Sequence, residues 1–395
     1  MFKKTLAAVA VLGAFAGSAF AANVTMYGVI DTGFGYSYKD AGYGDNTHKF
    51  EMATGQNSGV RFGLKGEEEL GNGLKVGFVL ENGFNSDDGQ LANNGRLFGR
   101  EALLYVNGAF GELGMGRQGE LASGNGRYGI FGGGVSPFST GWTNIAGHKY
   151  VMGAGFDRMD NTVTYKTPTF AGVNVLAQYS FKKDNKSKAY GSAYADSDAY
   201  KDLTAEAKKA WKDQREGSSG VDRQYAVGVS YKAGDLFLSG VVTQTNVATS
   251  GNGAKADADD PLTVSLGGNY NFGVATVYVA GQYFKDSALA VAAVQSKNAG
   301  SKFDGFGVSV GTAVPVFGGT AKALVGYMNA EDQVAAAMDM QRYTFSLGYE
   351  YPLSKRTFVY AGAGYYMDSY DKTAGAAYDD KASVIAVDCG LVHKF

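Results

Sequence analysis

The chain has 395 residues, among them 58 Gly, 5 Pro, 26 Tyr and 24 Phe, and its 36 Lys+Arg against 38 Asp+Glu leave a net charge of −2. So mild a charge argues against a nucleic-acid surface or a charged tail, and a single cysteine, Cys389, rules out an internal disulfide framework. A mean hydropathy of −0.16 would suit a secreted soluble protein, and no stretch after residue 21 is apolar for long enough to form a transmembrane helix.

The first element in chain order is "MFKKTLAAVAVLGAFAGSAFA". Lys3 and Lys4 give a positive start, an apolar run begins at Leu6, and Ala19-Phe20-Ala21 is a small-residue exit. This pattern predicts a signal peptide over residues 1–21, cleaved after Ala21, and an exported chain of residues 22–395.

From there the sequence alternates with period two. In "VTMYGVIDTGFGYSY" one face carries Met26, Ile30, Phe34 and Tyr36, and the other carries Tyr27, Val29 and Asp31. In "VRFGLKGEE" Val60, Phe62 and Leu64 alternate with Arg61, Lys65 and Glu67. Roughly sixteen such segments follow, starting near residues 24, 59, 74, 97, 112, 159, 173, 223, 236, 262, 274, 304, 320, 342, 357 and 383; most have the nine to eleven residues that a tilted strand needs to cross a bilayer. Short turns such as "LGNG" (70–73), "AGD" (233–235) and "NFG" (271–273) interleave with long polar loops at 39–58, 85–96, 182–221, 246–260, 285–302, 329–340 and 368–381. A soluble sandwich has no reason to segregate its loops by length. A membrane barrel does, with turns at the periplasmic rim and loops outside. The last strand, with Ile385, Val387, Leu391 and Phe395 facing out, is expected to pair with the first and close the ring, leaving no edge in hydrocarbon. A ring that wide cannot be filled by side chains, and no further domain is there to plug it, so a wet lumen is expected.

The blocks "VTMYGVIDTGFGY", "GVRFGLKGEEELGNGLKVGFVLENGF", "LFGREALLYVNGAFGELGMGRQ", "DNTVTYKTPTFAGVNV", "YPLSKRTFVYAGAGY" and "GLVHKF" resemble, in this order, the general diffusion porins of Gram-negative outer membranes. The resemblance implies an all-β, 16-stranded antiparallel transmembrane barrel, a homotrimer, and a third loop folded inward to narrow the pore. It also implies surroundings of outer-membrane lipid and lipopolysaccharide, a cargo of small hydrophilic solutes and ions, and Phe395 as an assembly signal for the barrel-assembly machinery. It implies no cofactor, metal or nucleic acid.

By strand parity Arg61, Lys65 and Glu67, then Lys75 and Glu81, point into the lumen. A turn about Gly71 would set Arg61 opposite Glu81 and Glu67 opposite Lys75. Arg61, Arg100 and Arg158 match positions where relatives place basic residues facing the third loop; a further basic position, near Val29, is missing here. The matching loop is 119–157, whose only acids are Glu120 and Asp157, against Arg127, Lys149 and, if protonated, His148. A net basic constriction and a weak anion preference are therefore expected. Of the loop's aromatics, Tyr128, Phe131, Phe138 and Trp142, several are expected to pack it to the wall.

Other readings have less support. "GNGRYG" (124–129) spells the dinucleotide fingerprint but sits in a glycine-rich loop, not in a βαβ unit. His48, His148 and His393 lack metal-ligand spacing, and there is no G-x-S-x-G elbow. A solute-specific channel is the first alternative, although the mostly Gly, Ser, Thr, Asn and Gln inner faces suit unspecific diffusion. A barrel enzyme and a surface adhesin are minor ones. For the adhesin, Leu203, Ala207, Ala210 and Trp211 would form one face of a helix in loop 182–221.

Overall fold

A computed structural model describes residues 24–42, 46–184, 201, 204–205, 222–246, 260–294, 302–333, 339–371 and 380–395. The expected cleavage site at Ala21 and the helical face of loop 182–221 lie outside the described residues. Strand segments β1 (Thr25–Asp40), β2 (Thr47–Thr54), β3 (Arg61–Gly71), β4 (Leu74–Gly83), β5 (Glu101–Gly108), β6 (Gly111–Gly119), β7 (Arg158–Lys166), β8 (Val173–Ser180) and β9 (Arg223–Ala233) form the first half. The second half comprises β10 (Leu236–Asn246), β11 (Leu262–Asn271), β12 (Thr276–Ser287), β13 (Phe303–Val316), β14 (Gly319–Asp332), β15 (Met340–Pro352), β16 (Thr357–Tyr370) and β17 (Lys381–Lys394).

Successive segments pair antiparallel, except that β2 and β3 both pair with β1, and β17 pairs with β1 from Val29↔Lys394 to Asp40↔Ser383. Gly28 and Phe395 also exchange both backbone hydrogen bonds. The ring is therefore closed. Seventeen segments make sixteen staves, because β2 pairs with the loop-side half of β1 and β3 with its turn-side half. This corrects the sequence expectation that 39–58 is all loop. Thr47–Thr54 is strand, followed by a break before β3.

The expected ion pairs of Arg61 with Glu81 and of Glu67 with Lys75 both form, at 3.6 and 3.1 Å, but the register that was to set them directly opposite is corrected. The turn is Asn72-Gly73, both with positive φ (51° and 75°), flanked by the pair Gly71↔Leu74 with a bulge just before it. Asn-Gly in that conformation is the two-residue hairpin turn that matches strand twist. It sets Glu81 opposite Gly63, Arg61 opposite Gly83, and Lys75 opposite Glu69. Parity is unchanged, so the same side chains still meet, diagonally.

Alternation sorts the side chains onto two faces. Outward, Val227, Val229, Leu238, Leu266, Val308, Val325, Leu347 and Val387 are exposed and form an apolar band. Phe110, Phe170, Phe272, Phe317 and Tyr351 rim it near the short turns, and Tyr36, Phe181, Tyr283, Tyr343 and Tyr365 towards the long loops. These are the two aromatic girdles of a barrel in a bilayer. The buried apolar clusters lie between the inner wall and the loop joining β6 to β7.

Candidate functional site

Residues 120–157 enter the barrel and run along its inner wall. At the root Glu120 and Asp157 clamp the two ends together: Glu120 N–H donates to the Asp157 carbonyl, and Asp157 N–H to Glu120 Oε2, both at 3.0 Å. Burial works against the Glu120 carboxylate, but the Lys183 ammonium at 2.9 Å outweighs it and holds its pKa below the ordinary value. Leu121 and Tyr128 pack on Leu103, Tyr105, Leu176 and Val241; Val135 and Phe131 on Ala280; and Phe138, Trp142 and Ile145 on Val29, Leu324, Tyr360 and Val392. The loop thus crosses from the β4–β10 wall to the β13–β17 wall. Glycines make room for it. A Cβ at Gly348 would lie 3.0 Å from the Trp142 ring, and one at Gly362 would lie 2.6 Å from it.

Its tip hangs from the break between β2 and β3. Asp31, fully buried on β1, accepts the backbone N–H groups of Asn57 (2.8 Å) and Ser58 (2.7 Å) and the Tyr360 hydroxyl (2.8 Å). Held in this way, Asn57 and Gln56 offer their carbonyls to the N–H groups of Trp142 and Thr143, at 3.2 and 2.7 Å.

A polar cavity of about 860 Å³ remains between loop and wall. Among the described residues its lining carries seven basic side chains (Arg61, Lys65, Arg100, Arg127, Lys149, Arg158 and Lys322) and four acidic ones (Glu81, Glu101, Asp157 and Glu350). Seven of the nine residues expected from sequence therefore share one space. The other two stand elsewhere. Lys75 sits at the turn-side end of the wall, 3.1 Å from both Glu67 and Glu69. Glu120 is buried in the loop root, where its charge is neutralised by Lys183.

The basic groups are not equivalent. Arg127 is bound in two places by Glu112 (2.6 and 2.7 Å) and lies 3.8 Å over the Tyr105 ring, and the Glu112 bonds raise its pKa above that of an ordinary arginine. It is structural as much as electrostatic. Arg61 and Arg100 share the single carboxylate of Glu81, at 3.6 and 2.7 Å, and Tyr27 donates to it at 3.0 Å. Arg158 donates to Asn125 Oδ1 at 3.0 Å, and Lys65 lies 5.2 Å over the Tyr27 ring; among the described residues neither has a carboxylate partner. On the facing wall Lys322 pairs with Glu350 at 2.7 Å. Burial pushes His148 down to about 3, with Lys149 beside it adding to the effect, so its ring contributes no charge at neutral pH. Burial also lowers the pKa of Lys149.

The sequence reading does not name Glu101, Lys322 and Glu350 as site residues, and Lys149 enters it only through the loop's charge balance. Each strand charge was visible as an isolated charge within an apolar alternation. On the lipid face a Lys or Arg at the bilayer midplane costs about 2–4 kcal/mol, and a Glu less, so parity assigns such residues to the lumen.

The family described as Gram-negative porin matches residues 7–371. An outer membrane porin protein of Bordetella pertussis is 33% identical over 425 aligned positions, covering 100% of both chains. Outer membrane porin protein 32 of Delftia acidovorans is 30% identical over 94% of this chain and 92% of its own. Among solved structures, an anion-selective porin from Comamonas acidovorans is similar with a TM-score of 0.66 and 26% identity, covering 95% of this chain and 100% of that one. With its closed ring, its outward apolar band and its polar lumen, the chain belongs to the Gram-negative porin family and is a barrel of the outer membrane.

Proposed function

We propose that the protein is a passive channel for small hydrophilic solutes and ions, weakly selective for anions, that works as a homotrimer without enzymatic activity. The observation that carries this reading is the excess of three positive charges on the cavity wall. A narrow passage with low-dielectric walls focuses the field of its own lining charges, so they outweigh the net charge of the whole chain. Arg158 and Lys65 act as the free charges of the constriction, and the Arg61–Glu81–Arg100 cluster retains a surplus of one. The likeness to a porin described as anion-selective supports the sign. Phe395, hydrogen-bonded to Gly28 at the closing seam, serves as the assembly signal.

Single-channel recording in a planar bilayer under a potassium chloride gradient tests this. The expected result is openings in three equal steps with a reversal potential displaced towards that of chloride. A displacement towards potassium would refute the anion preference, and a folded barrel that carries no current would refute the channel.

A further inference from the structure

A second segment also turns into the lumen. After β12, residues 288–294 lie against the far limb of the inward loop. Gly153 and Leu289 form an antiparallel bridge, Ala290 N–H donates to the Met152 carbonyl at 3.0 Å, and Ala154 N–H to Ser287 Oγ at 3.2 Å. Ala290 reaches the cavity wall.

Behind both segments lies an ion pair sealed from solvent. Arg342 on β15 and Asp368 on β16 are register partners with side chains 0% exposed, joined by Nε to Oδ1 at 2.5 Å and Nη2 to Oδ2 at 2.8 Å. The other three guanidinium N–H groups go to the loops. Nη1 donates to the carbonyls of Tyr150 (3.1 Å) and Val291 (2.9 Å), and Nη2 to that of Ala292 (2.9 Å). Asp368 Oδ2 accepts Val294 N–H at 2.8 Å. All five donors of the guanidinium are therefore used.

A cross-strand ion pair does not need this burial, and desolvating both charges costs more than their attraction returns unless every donor is satisfied. Here satisfaction comes from carbonyls of two different loops, so pair and loops hold one another in place. We infer that Arg342 and Asp368 are positioning residues that pin residues 288–294 to the inward loop, making that segment a second part of the pore wall whose release widens the channel. The inference rests on the reading of the protein as a channel.

The experiment replaces both charges at once, Arg342→Met with Asp368→Leu, so that no lone charge is left buried. Single-channel current is compared with that of the parent protein. The expected result is a folded barrel with larger conductance, added closing fluctuations and a reversal potential of unchanged sign. A second variant adds Ala154→Cys and Ala288→Cys, which flank the Gly153–Leu289 bridge, with Cys389→Ser. Oxidation should return the double variant to parental conductance, and reduction should reverse this. Parental conductance and noise in the folded double variant would overturn the inference, as would an increase that the cross-link does not reverse. Failure of the two thiols to oxidise in an otherwise parental chain would overturn it too, because the segments would then not be held together. A parent protein that carries no current would instead sink the channel reading itself.

Discussion

Trp142, at the tip of the inward loop, donates its backbone N–H to the carbonyl of Asn57 at 3.2 Å. The inward loop is thereby tied to the interruption between β2 and β3, and Asp31 holds that place from the opposite side of the break. The position of the inward loop's tip thus depends on a fully buried carboxylate.

Replacing Asp31 by Ala leaves two backbone N–H groups and the Tyr360 hydroxyl buried without an acceptor, at about 1–3 kcal/mol for each. The expected outcome is a lower urea-unfolding midpoint and noisier single-channel current. A variant with parental midpoint and quiet current would contradict the tether.

Trp142→Ala removes a ring packed edge-on against Phe138 (5.5 Å) and Tyr360 (5.3 Å). Truncating so large a buried side chain costs about 3–5 kcal/mol. Because the ring fills the space left by Gly348 and Gly362, the loop tip should detach before the barrel opens. Limited proteolysis of the folded protein should then cut within residues 138–146, where the parent resists.

Arg61→Ala with Arg158→Ala reduces the lining's excess from three positive charges to one. The reversal potential should move towards that of potassium, with little change in conductance. Glu81→Gln should do the opposite, because Arg61 and Arg100 lose their shared counter-charge. Both displacements should shrink between 0.1 and 1 M salt, as the Debye length falls from about 10 to about 3 Å.

Alkaline titration isolates Lys149. Burial lowers its pKa, so as pH rises it becomes neutral before an ordinary lysine does, and anion preference should decline below the usual lysine range. Arginine keeps its charge throughout. Lys149→Arg should remove this early decline, and a titration curve unchanged by the substitution would assign it to other groups.

What the sequence determines by itself is whatever depends on period two. Alternation marks sixteen staves, separates a lipid face from a lumen face, and places Arg61, Lys65 and Glu81 inside, because a strand turns alternate side chains to opposite faces wherever it lies. Stagger and loop path are not local, and only the tertiary structure decides them. One residue of difference in where the Asn72-Gly73 turn is centred moved the facing partners by two. The strand Thr47–Thr54 went unread because its alternation continues only half a stave. That Arg127 is held by Glu112, that Lys75 stands outside the cavity, and that Lys322 and Glu350 line it follow from a 38-residue loop crossing the lumen between distant strands. Charges there are neutralised or left free by contacts between residues up to hundreds of positions apart, such as Asn57 with Glu350. No spacing along the chain encodes those contacts.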